Sequence, residues 1–178
     1  MIWSSTAFST ASLGIMNYTI EPASEPHFVG LHRAVDMVAR EKKYLAFTQA
    51  PPLEQSLAFY RGLQSSGAPH FVALEGDEVV GWVDVSPHLG ESRAHMGTLG
   101  IALVPSARHQ GLGVRLMQAA IDKSWSNGLS RIELCVRADN INAKALYERF
   151  GFELEGTLRR GNLIDGQYYD VHVMSLLR

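Results

Sequence analysis

The segment from Leu103 to Arg115 constrains the fold of this chain more than any other. A β-rich run ends at Pro105, and two glycines, Gly111 and Gly113, precede an amphipathic run that continues to about residue 126. A strand that enters a helix through such a loop exposes the free N–H groups of the first helical turn. These groups and the partial positive charge of the helix start attract phosphate. The segment therefore predicts a phosphate-binding loop.

The charges around this loop support a phosphate site. No acidic residue occurs between Glu91 and Asp122, whereas Arg93, Arg108 and Arg115 all lie in that window. The whole chain carries 16 basic and 18 acidic residues, for a formal charge of -2. The loop is therefore a basic island in a mildly acidic chain.

Two common phosphate-binding motifs do not fit the loop. A Walker loop needs Lys and Ser or Thr after the second glycine, where Val114 and Arg115 stand. A dinucleotide-binding fingerprint needs a third glycine at position 116, which is Leu116. An unrelated nucleotide binder, such as an NAD enzyme, is therefore disfavoured.

The order of the predicted elements indicates one α/β domain over residues 17–178. The pattern predicts a strand over 18–21, helices over 27–40 and 53–64, a hairpin over 70–85, an extended run over Arg93–Val104, a helix to about 126, a strand over 131–137, a helix after Asn140, and strands over 152–159 and 168–177. This order predicts a mixed, mostly antiparallel sheet with helices on both faces. Residues 1–16 are interpreted as a flexible leader.

Composition excludes several classes of protein. Hydrophobic residues make up 46% of the 178 residues and charged residues 19%, which excludes a disordered chain. The lack of a basic excess disfavours a nucleic-acid binder. Cys135 is the only cysteine, so no internal disulfide or cysteine-pair zinc site is expected. No apolar stretch reaches the length of a membrane span, and the leader lacks the basic start of a secretory signal, so we expect a cytoplasmic protein.

The run Arg108-His109-Gln110-Gly111-Leu112-Gly113 resembles the R/Q-x-x-G-x-G/A signature of the GNAT superfamily of acyl-CoA-dependent N-acetyltransferases. The preceding Leu103-Val104-Pro105 also matches the family pattern, as do the following Asn140, Ala143, Leu146, Tyr147, Gly151 and Phe152. The resemblance covers residues 17–178 and is strongest over 97–153. The tail is most similar to the ribosomal-protein, amino-acid-amide and phosphinothricin-type branch.

The resemblance implies the fold and the cofactor site. The sheet is expected to splay between its middle strands, and acetyl-CoA to lie there with no metal. The residues that the resemblance assigns to acetyl-CoA are Ile101, Ala102, Leu103, Arg108, His109, Gln110, Gly111, Leu112, Gly113, Val114, Asn140 and Ala143. Asn140 is also a candidate helix cap.

The resemblance assigns the general acid to Tyr147, because the departing thiolate needs a proton and a phenol can donate one. The general base stays open between water, His95 and Glu133. Many family members carry a glutamate on the strand that enters the phosphate loop, and residues 95–100 contain none. Other members carry it where this chain has Cys135, which we interpret as a small buried residue and not as a nucleophile.

The resemblance implies transfer of an acetyl group to the primary amine of a small molecule, most simply an amino-acid derivative. Candidate acceptor segments are residues 41–47, with Tyr44 and Phe47, and residues 166–170. Alternative functions are acetylation of a protein N-terminus or lysine, and a non-catalytic acyl-CoA-binding sensor. A homodimer is consistent with the family, and no nucleic-acid or membrane partner is expected.

Overall fold

The computed structural model describes residues 17–178, and the predicted leader over residues 1–16 lies outside the described residues. The strands are β1 (Tyr18–Pro22), β2 (His70–Glu75), β3 (Glu78–Pro87), β4 (Met96–Leu103), β5 (Arg131–Arg137), β6 (Glu153–Ile164) and β7 (Gln167–Leu177). The helices are α1 (Glu25–Arg40), α2 (Leu53–Ser66), α3 (Leu112–Ser126) and α4 (Ile141–Arg149).

The sheet has the order β1-β2-β3-β4-β5-β7-β6. Only β4 and β5 are parallel neighbours, and the other five pairs are antiparallel. Parallel neighbours require a long crossover connection, which α3 supplies. The mixed α/β fold with a mostly antiparallel sheet, predicted from the order of elements and from the GNAT resemblance, is confirmed.

Two predicted boundaries were wrong. The extended run predicted from Arg93 begins only at Met96, because Glu91–Arg93 form a 3-10 turn in which the carbonyl of Gly90 accepts the N–H of Arg93. Strand β6 continues past residue 159, because the Asp170 carboxylate accepts the N–H of residue 160 at 2.8 Å. That contact holds extra residues of β6 in a bulge.

Helices cover both faces of the sheet. Strand β3 is buried at consecutive residues from Val79 to Val83, which is possible only when side chains on both faces are covered. Helix α1 approaches Val79 closely at Gly30, and α2 packs on α1. Helix α3 approaches Leu146 of α4 at Gly113. We call the two surfaces of the sheet the α1–α2 face and the α3–α4 face.

Strands β4 and β5 separate part of the way along their length. They pair only from Met96 to Thr98 on β4 and from Arg131 to Glu133 on β5. Beyond these residues β4 stays paired with β3 and β5 stays paired with β7. The edge of β4 that faces β5 is therefore free of a strand partner over residues 99–103, and the sheet contains a slot.

No helix within residues 17–178 combines the length and the apolar character needed to cross a membrane.

Candidate active site

The slot between β4 and β5 opens into a groove of about 690 Å³, which we call the substrate groove. Residues from α1, the α1–α2 loop, β4, the phosphate loop, β5 and α4 line it. The sequence-predicted residues among them are Ile101, Ala102, Leu103, Arg108, His109, Gly111, Gly113, Val114, Asn140, Ala143 and Tyr147. One groove thus brings together residues that are up to 46 positions apart in the chain.

The backbone of the phosphate loop is arranged for an anion. His109 has φ +60° and Gly111 has φ +77°, so two of three consecutive residues are left-handed. Among the described residues, no backbone carbonyl or side chain accepts a hydrogen bond from the N–H groups of residues 109–114. Successive free N–H groups at the start of a 15-residue helix form an anion-binding concavity. The loop therefore fits the pyrophosphate of coenzyme A.

Glycine suits the two positions of the loop, 111 and 113, for different physical reasons. Gly111 is left-handed, and no described atom lies within 4 Å of the position that a Cβ would take there. At Gly113 a Cβ would lie 3.2 Å from a methyl group of Leu146. Gly111 thus leaves open space above the loop, whereas Gly113 allows α4 to approach α3.

Two of the predicted cofactor residues do not line the groove. Gln110 donates from its amide nitrogen to the carbonyl of Ser106 at 2.9 Å. The side chain of Leu112 is fully buried in the core. Their backbone N–H groups remain part of the loop, so any contact with a phosphate would come from the backbone.

The arginines near the loop are bound within the protein. Arg108 forms an ion pair with Glu41, donates to the carbonyl of Leu103 at 3.0 Å and stacks 4.5 Å from the ring centre of Tyr44. Arg115 donates to the carbonyl of Tyr18 at 3.0 Å. The basic island therefore holds the α1–α2 loop and β1 in place, and the free donors at the loop are backbone N–H groups.

Two groups of α4 face the groove. Asn140 caps the helix, with its side-chain oxygen accepting the N–H of Ala143 at 3.3 Å. Tyr147 is 7% exposed and packs on Phe152, with ring centres 6.0 Å apart. Burial raises the pKa of Tyr147 to about 12, so the phenol holds its proton at neutral pH.

The two side chains predicted as candidate bases lie outside the groove. His95 is exposed in the turn before β4, about 13 Å along the chain from Leu99 at the strand rise of about 3.3 Å per residue. Glu133 is held by Arg131 at 3.2 Å and lies 3.3 Å from His88. Neither of the two side chains predicted as bases therefore lines the groove.

Cys135 is not a small buried residue, as predicted, but an exposed one that lines the groove. Its neighbours Leu134 and Val136 are buried under the α3–α4 face, so the Cys135 side chain faces the opposite side. Strand β4 has already separated from β5 at this position, which leaves the thiol open to the groove. Partial burial, followed by the nearby Glu133 charge, raises the pKa of this thiol.

The predicted acceptor segments are only partly at the groove. Residues 43–46, including Tyr44, line it, whereas Phe47 is 44% exposed and lies outside it. Residues 166–170 do not line it either. This turn contacts the α1–α2 loop through its neighbour Asp165, which accepts from Lys42 at 2.8 Å.

Sequence reasoning missed Asp84 on β3. Its carboxylate accepts from the Ser86 hydroxyl at 3.1 Å, and burial raises the pKa of Asp84 to about 7. The signal was available, because an acid in the interior of the apolar run Gly-Trp-Val-Asp-Val is unusual. Within residues 17–178 no cluster of three or more His, Cys, Asp or Glu side chains is arranged to hold a metal.

Comparison with known proteins defines the class. The acetyltransferase (GNAT) family matches residues 38–152, which is more than half of the chain. The protein therefore belongs to the GNAT family, and it is an N-acetyltransferase that takes its acetyl group from acetyl-CoA.

Individual relatives span more than one acceptor class. The L-amino acid N-acetyltransferase AaaT of Escherichia coli (strain K12) is 28% identical over 142 residues, 79% of this chain and 87% of that protein. The ribosomal protein bS18-alanine N-acetyltransferase of Escherichia coli is 45% identical over 60 residues, 34% of this chain and 40% of that protein. A solved GNAT-family acetyltransferase from Streptococcus pneumoniae has a TM-score of 0.84 and 26% identity, covering 91% of this chain and 100% of that one.

Proposed function

We propose that this N-acetyltransferase acetylates the α-amine of an amino acid or a small amino-acid derivative. The observation that carries the proposal is the attachment of the α1–α2 loop over one end of the groove. Glu41 is paired with Arg108, Lys42 is paired with Asp165, and the carbonyl of Lys42 accepts from Arg137 at 3.1 Å. A loop held at both of these residues is fixed along the groove that its residues 43–46 line, which favours a small molecule over a protein chain.

The lining of that end supports an acceptor with an apolar side chain. Val38, Tyr44, Leu45 and Ala46 are close to the groove, and Lys43 adds a positive charge at its margin. A small apolar pocket with few polar groups is typical of a site for a small organic molecule. Lys43 suits a carboxylate or carbonyl on the acceptor. The similarity to an L-amino acid N-acetyltransferase supports the same class.

The proton chemistry favours an α-amine. An α-amino group has a pKa near 8, whereas a lysine-like amine has a pKa of about 10.4. At pH 7 the second costs about 3 kcal/mol more to deprotonate than the first. Acetyl-CoA supplies the activated acyl group, and Tyr147 holds the proton that the departing sulfur requires. Placing amine and thioester side by side contributes roughly 7–11 kcal/mol.

The phosphate loop and the free edge of β4 form the proposed binding site for acetyl-CoA. Backbone N–H groups of residues 109–114 would bind the pyrophosphate, and the unpaired edge of residues 101–103 would bind the amide-rich arm. Asn140 and Ala143 would contact the arm from α4. The cytoplasmic location and the homodimer expected from the sequence stay predictions.

A thiol-release assay with acetyl-CoA tests the acceptor class. The acceptors are free amino acids, their amides, polyamines, aminoglycosides and tetrapeptides that begin with the same amino acids. We expect turnover with amino acids or their amides and a loss of at least tenfold in kcat/KM for the tetrapeptides. Equal or better turnover of the tetrapeptides would show that the acceptor is a protein N-terminus and would overturn the proposal.

A further inference from the structure

Asp84 lies on the α1–α2 face of the sheet, on the strand next to β4, which lines the groove. Its cross-strand neighbours are His70 on β2 and Gly100 on β4. Burial, with a smaller contribution from the nearby Asp84 charge, raises the pKa of Tyr60 on α2 to about 12. Thr98 and Gly100 alternate onto this same face of β4, and Cys135 of β5 shares the face through the pairing of Thr98 with Glu133.

Asp84 is not among the residues that line the groove, but its carboxylate packs against Gly100, which is one of them. A Cβ at Gly100 would lie 3.4 Å from Oδ1 of Asp84, so the carboxylate lies directly over this glycine. Gly100 itself lines the groove, together with Cys135 and Val38. A larger residue at position 100 would stand between the carboxylate and the groove. The carboxylate therefore lies against the backbone of one groove-lining residue.

The groups that face Asp84 leave its charge without a cation. Burial lowers the pKa of His70 to about 4, so this ring is neutral at pH 7. Tyr60 is neutral there as well, and α1 turns only apolar side chains toward the sheet. Strand β4 contributes Gly100 and Thr98, which do not titrate. Among residues 17–178 no Lys, Arg or His forms an ion pair with Asp84.

The other carboxylate on this face, Glu133, is already paired with a cation. Glu133 is held by Arg131, and His88 contacts both Glu133 and Thr98. The second nitrogen of His88 faces the Arg93 guanidinium, so it must accept, and the first nitrogen must then donate, with the Thr98 hydroxyl as its partner at 2.7 Å. Glu133 accepts from the Arg131 guanidinium at 3.2 Å, whereas among the described residues Asp84 accepts only from the Ser86 hydroxyl.

We propose that Asp84 is the proton acceptor that converts the incoming ammonium group into the attacking amine. This inference rests on acetylation of an amine by the groove and is independent of which amine is used. One proton leaves the ammonium nitrogen for a carboxylate oxygen of Asp84. As the C–N bond forms and the C–S bond breaks, Tyr147 gives its proton to the sulfur and receives the second amine proton. Asp84 then releases its proton to solvent.

The two groups stand on opposite sides of the slot. Asp84 is on the α1–α2 face, whereas Tyr147 belongs to α4 on the opposite face. An acceptor that enters from the first side meets the base before it reaches the thioester. A carboxyl group that is half ionised near neutral pH is well matched to this task, because a general base works best with a pKa near the working pH.

The test is Asp84→Asn, which keeps the shape of the side chain and removes its ability to accept a proton. Asp77→Asn is the matched control, since Asp77 is exposed in the turn between β2 and β3. The readout is kcat/KM for the best acceptor of any class, measured by thiol release from pH 5.5 to 9.5. Because the folded protein favours the neutral form of Asp84, we expect the asparagine variant to fold.

The wild type and Asp77→Asn should show kcat/KM that falls below about pH 7 and is level from there to the pKa of the amine. Asp84→Asn should lose 10²–10⁴-fold at pH 7.5, the usual contribution of a general base. The pH profile of this variant should also lose its level region, so that kcat/KM rises tenfold per pH unit up to the pKa of the amine. Its KM for acetyl-CoA should be unchanged. If kcat/KM of Asp84→Asn keeps the level region and the fall near pH 7, the proposal is overturned, whatever the absolute value of kcat/KM.

A second measurement on the wild type needs no variant. Two acceptors with amine pKa values at least one unit apart are compared over the same pH range. The fall near pH 7 should stay at the same pH for both acceptors, because it belongs to the enzyme. A fall that moves with the pKa of the amine would assign deprotonation to solvent and overturn the role of Asp84.

Discussion

The two faces of the slot are built from different kinds of sequence. On the α3–α4 face the loop, the helix cap and Tyr147 lie within 40 consecutive residues, from Arg108 to Tyr147. On the α1–α2 face the lining comes from separate segments: α1, its following loop, β4 and one side of β5. We expect the first face to bind the constant cofactor and the second to meet the variable acceptor. Local motifs therefore describe the cofactor side well and the acceptor side poorly.

The largest effect is expected on the α3–α4 face, from removal of the Tyr147 hydroxyl. Tyr147→Phe removes only the hydroxyl, so we expect a 10²–10⁴-fold loss in kcat with acetyl-CoA binding retained. The measurements are thiol release and the shift of melting temperature with coenzyme A. The matched control is Tyr18→Phe on β1, which also removes a buried hydroxyl that has no partner among the described residues. Unchanged turnover of Tyr147→Phe would remove this residue from the mechanism.

The next effect concerns pH and stability on the α1–α2 face. His70 is buried between Phe28 and Tyr60, with ring centres 6.3 and 5.7 Å away. Its pKa is about 4 when folded and 6.5 when unfolded. Below pH 6.5 the His70 ring is protonated in the unfolded state but not in the folded state. The free energy of unfolding therefore falls as the pH drops toward 4. The difference of about 2.5 units corresponds to about 3 kcal/mol.

Replacing His70 by Phe removes that loss and keeps an aromatic ring in place. Urea unfolding at pH 7.0, 5.5 and 4.5 should therefore show a smaller loss of stability for His70→Phe than for the wild type. Asp84 acts with the opposite sign, because its raised pKa makes the fold less stable as the pH rises from 3.8 to about 7. That contribution is common to both proteins and cancels in their difference. The exposed His95→Gln should behave like the wild type, and equal slopes for His70→Phe would contradict the prediction.

The smallest effect separates backbone strain from phosphate binding on the α3–α4 face. Gly111 and Gly67 are both left-handed, with φ +77° and +67°, and both have open space where a Cβ would be. Alanine at either position should cost about 1–2 kcal/mol of stability. Only Gly111→Ala should also raise KM for acetyl-CoA, by about tenfold, the equivalent of one lost hydrogen bond to a charged group. An equal KM for the two variants would show that the loop does not approach the cofactor.

The sequence predicted the fold class and most of the groove because those features depend on local patterns. Apolar periodicity located the helices, and the spacing from Arg108 to Tyr147 located one wall of the slot. The errors depend on distant contacts. The partner of Arg108 is Glu41, 67 residues earlier, so its charge is neutralised by a residue that no local motif includes. Cys135 is exposed only because β4 has turned away from β5 at that point.

The short junction of β4 and β5 has a mechanical consequence. It contains three residue pairs, whereas the other strand junctions contain between five and eight. The sheet thus consists of two parts, β1 to β4 and β5 to β7, that are connected by only these three residue pairs. The amide-rich arm of acetyl-CoA, bound along the free edge of β4, would add contacts between the two parts of the sheet. Binding of the acetyl donor would then also stabilise the fold.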